Sequence, residues 1–87
     1  MQLAIVQGRA TATVKHDSLA NWKLLICQFV GADNHPIADP VLAIDRLGAG
    51  LGDRVILTSD GLGLRELVKD SNSPVRWWTL GIVDMQG

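Results

Sequence analysis

The sequence predicts a mostly-β domain, a small and strongly bent barrel of about five short strands with one short helix before the last strand. Three observations lead there. Short apolar runs recur along the chain with turn-forming residues between them. A glycine interrupts the first run, as barrel corners require. The one stretch able to turn helical, 62–69, begins among glycines and is therefore brief.

The first run, LAIVQGRATATV (3–14), alternates. Ala4, Val6, Gly8, Ala10, Ala12 and Val14 share one face, and Arg9, Thr11 and Thr13 share the other. Gly8 marks a bend or bulge. The second run, WKLLICQFV (22–30), is apolar on both faces, with Leu25, Cys27 and Phe29 on one side, joined by Lys23, and Trp22, Leu24, Ile26 and Val30 on the other. An antiparallel sheet normally wets one face. A strand greasy on both implies that its outer face is covered, and a neighbouring subunit is the expected cover.

Gly31 to Pro36 carries dense turn chemistry. Val41–Ile44 is a short third strand and Arg54–Ser59 the fourth. Gly61 and Gly63 each weaken the helix at 62–69 by about 1 kcal/mol relative to Ala. Residues 75–85, VRWWTLGIVDM, form the last strand, with Val75, Trp77, Thr79, Gly81 and Val83 on one face. Neither repeats nor linkers divide the chain, so residues 1–87 read as a single domain.

An 87-residue chain buries only roughly 60–65% of the surface its unfolded form exposes. Yet 47% of its residues are hydrophobic and three are Trp, more apolar side chain than so small an interior absorbs. Part of it is expected to face another copy. The net charge of −1, without a basic stripe, argues against nucleic acid. The lone Cys27 forms no internal disulfide and fits an intracellular setting. The amino terminus shows neither a signal peptide nor a membrane span, so a cytoplasmic protein without membrane contact is expected.

The stretch AIDRLGAGLGDRVIL (43–57) places three glycines in five positions. A dinucleotide loop needs a helix after it, because the helix N-terminus supplies the phosphate-binding amides. Here Asp53-Arg54-Val55-Ile56-Leu57 continues as a strand, so the glycines read as a tight turn with positive φ values. No cofactor is expected. His16 and His35 are isolated loop residues, so no metal site is expected. Cys27 lies within an apolar strand, and Ser59, Ser71 and Ser73 lack an elbow motif, so no catalytic residues are expected.

A five-stranded barrel with a helix before its last strand is OB-like, and such folds bind single-stranded nucleic acid or small ligands. That binding module is the alternative reading. Against it, Trp77 and Trp78 point to opposite faces, one to fill the core and the other an interface, and Trp22 serves one or the other.

Taken together these segments resemble the bacterial microcompartment vertex proteins, the EutN/CcmL-type pentameric shell family. The match runs from MQLAIVQG through WKLLICQF, is most specific over Ala43–Leu57, and ends in Ser73-Pro74-Val75 and Gly81-Ile82-Val83-Asp84. The resemblance implies a homopentamer that caps the fivefold vertices of a polyhedral shell in the bacterial cytoplasm. Its partners would be hexameric or trimeric facet proteins, and no catalysis is implied. It also implies that Gly48, Ala49, Gly50 and Gly52 form an architectural loop near the fivefold axis, where small residues let copies approach. Asp45, Asp53 and Arg54 would supply polar contacts there, and Ser59, Asp60 and Gly61 a pore lip. Two departures stand out. Where many members carry a Gly-Ser-Ser-Ala-Arg type sequence, this chain reads Asp60-Gly61-Leu62-Gly63-Leu64-Arg65, and only Arg65 fits. The chain also ends soon after Asp84, where many relatives run on into another strand segment.

Overall fold

Five strands form where the apolar runs predict them in the computed structural model, which describes residues 1–10, 23–60 and 75–83. They are β1 (Gln2–Ala10), β2 (Lys23–Phe29), β3 (Val41–Asp45), β4 (Arg54–Thr58) and β5 (Trp77–Val83). They close into a barrel in the order β1-β2-β3-β5-β4, antiparallel at every seam except the parallel β3–β5 pair. The helix expected at 62–69 and the positions of Trp22 and Gly61 lie outside the described residues.

Alternation builds the interior. Ala4 and Val6 from β1, Leu25, Cys27 and Phe29 from β2, Ala43 from β3, and Val55 and Leu57 from β4 form one buried cluster, with Trp77 packed against it. Each fully buried leucine or valine here contributes about 1.5–3 kcal/mol relative to exposure. The bulge expected at Gly8 is present: the β1–β2 register slips between Val6 and Gly8.

The outer face of β2 corrects one expectation. Leu24 is buried within a single chain, in a second cluster with Ile44 and Val75, against which Ala10 and Trp78 pack. The pairings Ala10↔Leu24, Leu24↔Ile44 and Ile44↔Trp78 make this one row across the outside of four strands. Further along, Gln28 is covered by the chain's own loop, its Nε2 donating to the carbonyls of Phe29, Ile37 and Ala38 at 3.1, 3.1 and 2.9 Å. The greasy strand is thus largely covered from within, and no second subunit is needed to bury Leu24.

A second slip, between Ile56 and Leu57 of β4, corrects the face reading of β5. Leu57 pairs with Thr79 while Ile56 pairs with Gly81, so Leu80 is the extra residue. Thr79 points inward and is fully buried, whereas Gly81 joins Ile56 on the outside. Val75, which precedes the strand, belongs to the outer cluster and not with Trp77.

Candidate functional site: the glycine corner

The loop between β3 and β4 is a corner packed into the end of its own barrel. Gly48 and Gly52 have φ of 84° and 85°, backbone that a side chain strains, so both positions call for glycine. Gly50 does not share that geometry: its φ is not positive, and an added Cβ would lie 3.8 Å from the nearest side-chain atom, Asp53 Oδ2. The expected tight turn is there, but it rests on two of the three glycines. Ala49 between them is fully buried in the main core. The chain then folds against β1, with Gly52 N–H donating to Val6 O and Val6 N–H to Asp53 O, both at 2.9 Å.

A buried carboxylate anchors the corner. Asp45 closes β3, and its side chain is fully shielded from solvent. Its Oδ1 accepts Leu47 N–H at 2.9 Å and the Thr79 hydroxyl at 3.2 Å. Lys23 Nζ stands 3.4 Å from Oδ2 and donates to Ala49 O at 2.8 Å. The ammonium is aligned on the carbonyl, so Oδ2 is balanced by charge while lacking a hydrogen bond of its own. Burying a lone carboxylate is costly, and the lysine together with two donors on Oδ1 offsets that cost.

Thr79 reaches both ways. Its Oγ1 accepts Arg46 N–H at 3.2 Å, and its carbonyl accepts Arg46 Nε at 3.3 Å. The β3–β5 seam carries only two paired positions, Ala43↔Trp77 and Ile44↔Trp78. Beyond them, side-chain bonds from Thr79 to Asp45 and Arg46 continue the closure. Arg46 also lies over the Trp78 ring, 5.4 Å from its centroid, and Trp78 Nε1 donates to Asp60 O at 3.4 Å.

Of the residues singled out from sequence, Asp45, Gly48, Ala49, Gly50, Gly52 and Asp53 come together in this corner. Asp53 folds back on it, its Oδ2 accepting Gly50 N–H at 2.8 Å. Arg54 begins β4 on the outer side, opposite Ile5 and Val83. Ser59 and Asp60 are exposed beyond the other end of β4. The two described tryptophans part as adjacent strand residues must. Trp77 faces the interior, edge-on to Phe29 with centroids 4.8 Å apart, and Trp78 faces the outer cluster.

Lys23, Thr79 and Arg46 did not emerge from the sequence as parts of the corner. Lys23 alone carried a signal, a single cation on the inward face of an apolar strand, where an ionised group needs a buried partner.

The corner's chemistry is turned inward. The N–H groups of Arg46, Leu47, Gly50, Gly52 and Asp53, which a phosphate loop would aim at a ligand, all donate to acceptors of this chain. Cys27 is fully buried, and desolvation first, with the Asp45 charge second, pushes its thiol up to about 11. The thiolate that nucleophilic chemistry needs is therefore strongly disfavoured. His35 Nδ1 lies 2.6 Å from Asp33 Oδ2 in an exposed turn. Among the described residues, no group of three or more metal-ligating side chains converges.

These features define a class first: a small closed barrel whose polar residues lock its own corner. The family described as "Ethanolamine utilisation protein EutN/carboxysome" matches residues 1–84, and the chain belongs to this EutN/CcmL family. It is 40% identical over 84 residues to the bacterial microcompartment shell vertex protein EutN of Escherichia coli (strain K12), a match covering 97% of this chain and 87% of that one. It is 33% identical to the carboxysome shell vertex protein CcmL of Thermosynechococcus vestitus, covering 97% and 84%. Among solved structures, an ethanolamine utilization protein, EutN, aligns with a TM-score of 0.80 at 40% identity, over 97% of this chain and 86% of that one. The GrpN pentameric microcompartment shell protein from Rhodospirillum rubrum aligns with a TM-score of 0.79 at 32% identity, over 97% and 94%.

Proposed function

We propose that this chain forms a homopentamer that caps the fivefold vertices of a bacterial microcompartment shell in the cytoplasm. The observation that carries this reading is one continuous match, over 97% of the chain, to shell vertex proteins. Its likeness to a pentameric shell protein supports the ring. The role is structural and not enzymatic, a reading supported by the inward-turned corner and by the suppressed thiol. Hexameric or trimeric facet proteins are the partners a vertex cap requires.

In this reading the corner holds the β3–β4 connection rigid near the fivefold axis, with Asp53 and Arg54 at its exit. Ser59 and Asp60, exposed beyond the end of β4, are then assigned to the axial opening. A ring of identical copies uses heterologous contacts, in which one patch meets a different patch on the next copy. Native mass spectrometry of the purified chain tests the proposal. The expected species is five times the chain mass of 9.4 kDa, and it should co-assemble with shell hexamers. A monomer at every concentration, with salt-dependent binding of an oligonucleotide, would instead favour the OB-like binding module.

A further inference from the structure

Two outer surfaces of the barrel differ in shape, and both are apolar. On the β1–β4–β5 wall, Leu3, Ile56 and Gly81 form one row across three strands. With Met1, Gln2 and the extra residue Leu80 they line a groove of about 360 Å³. Gly81 is what opens it, since a Cβ built there meets nothing within 4 Å. The bulge that turns Gly81 outward and leaves Leu80 38% exposed is the feature that creates this groove. An aliphatic side chain fits such a space, which is many times the roughly 30 Å³ of one water.

In the connection between β2 and β3, and on β3 itself, the surface projects. Ile37 is 50% exposed, and Leu42, paired with Ile26 on the outside of the sheet, is 36% exposed. Ile37 is held firmly. Its N–H donates to Phe29 O at 2.8 Å, and its carbonyl and that of Ala38 accept the buried Gln28 amide. Ala38 is kept at φ 61°, a left-handed conformation that a non-glycine residue holds only when its surroundings impose it. A clamped segment with a left-handed residue directly after its exposed isoleucine holds that side chain in a fixed position.

We infer that the contact between copies is a knob in a groove: Ile37 of one copy seats in the Leu3–Ile56–Leu80 groove around Gly81 of the next. This rests on the pentamer reading, which requires two unlike patches per chain. The two surfaces are unlike, one a groove on the outside of β1, β4 and β5 and the other a projecting side chain of the β2–β3 connection, and burying both removes large aliphatic side chains from water. A second copy of the chain is the occupant that brings an Ile37 of fixed geometry to every groove.

Two variants test it. Gly81→Leu fills the groove where the chain itself leaves space, and Ile37→Glu places a charge on the exposed knob. Both should keep the wild-type strand signal in circular dichroism. Each alone should lose the five-chain species in native mass spectrometry at concentrations where the wild-type chain is wholly pentameric. Mixed in equal amounts, they should give a one-to-one heterodimer and nothing larger. The Gly81→Leu chain retains only its knob and the Ile37→Glu chain only its groove, so a single contact forms.

Each other outcome decides something different. Wild-type pentamers with both variants still pentameric would overturn the contact and leave the vertex reading standing. Loss of assembly with only one variant would overturn the pairing of these two surfaces. A monomeric wild-type chain would overturn the vertex reading and the contact with it.

Discussion

Replacing Thr79 by valine tests whether side-chain bonds close the barrel where the β3–β5 ladder stops. Valine has nearly the shape of threonine, so the fully buried site stays filled. Two bonds are lost at once. Asp45 Oδ1 loses one of its two donors, and Arg46 N–H loses its acceptor. The buried carboxylate is left with Leu47 N–H and the Lys23 charge. A hydrogen bond to a charged group contributes about 1.5–3 kcal/mol, and an amide left without a partner costs about 1–3 kcal/mol when buried. Arg46 is an exposed residue, which puts its amide at the low end. The expected loss is about 3 kcal/mol, or about 12–24 °C in Tm for a domain of this size.

Urea denaturation followed by Trp fluorescence measures it, at one fixed chain concentration because assembly adds to apparent stability. The slope m should be unchanged. Thr79→Ser keeps the hydroxyl and removes a methyl, so it should cost only about 1 kcal/mol. Combining Thr79→Val with Asp45→Asn should give less than the sum of the single losses, with coupling of about 1 kcal/mol or more. A Thr79→Val loss below about 1 kcal/mol, equal to or smaller than that of Thr79→Ser, would refute the closure role.

Three further outcomes follow from the same geometry. Gly48→Ala and Gly52→Ala should each destabilise by about 1–2 kcal/mol from left-handed backbone, whereas Gly50→Ala should stay within about 1 kcal/mol of wild type; equal losses at all three, by denaturant titration, would contradict the φ assignment. Trp77→Ala should cost about 3 kcal/mol or more by emptying the space beside Phe29, and a smaller loss than Trp78→Ala shows would reverse their roles. Cys27 should resist a thiol reagent at neutral pH until the chain unfolds. Its folded pKa of about 11 lies above the ordinary 9.0, so its contribution to stability is complete below pH 9 and is lost as pH rises toward 11; labelling of the native chain at pH 7 at the unfolded rate would be inconsistent with that burial.

The strands were legible because their determinants are local. The apolar run of β2 specifies its inward face, and alternation does so for Ala4 and Val6 of β1, but the bulge before Gly8 turns Gly8 and Ala10 outward, against the face that simple alternation gave them. What stayed hidden depends on contacts distant in sequence. Nothing in the Arg54–Thr58 run marks the slip between Ile56 and Leu57, so simple alternation placed Gly81 on the wrong face. Leu24 read as awaiting a partner subunit because its cover, Ile44 and Val75, comes from segments 20 and more residues away. Asp45 read as a surface contact for the same reason: its partners Lys23 and Thr79 approach from β2 and β5 only once the barrel closes. Gly50 shares a motif with two glycines of special geometry, and spacing alone could not separate it from them.

The corner also bears on where copies of the chain meet. A loop of small residues next to a ring axis invites the reading that its glycines clear space for neighbouring backbones. The backbone of Gly48 and Gly52 already requires glycine within one chain, Ala49 is already buried in the chain's own core, and the amides of Gly50, Gly52 and Asp53 are already bonded. Each feature that made the motif conspicuous is used inside a single barrel. The corner's contribution to a ring is then rigidity, since a locked β3–β4 connection fixes how the walls on either side are presented. Affinity between copies falls to surfaces whose apolar groups are not satisfied internally. Ile37 and Leu80 are such groups, and neither belongs to the glycine motif. A substitution in the corner should therefore lower barrel stability and ring assembly together, whereas one in the groove should remove the ring and leave the barrel.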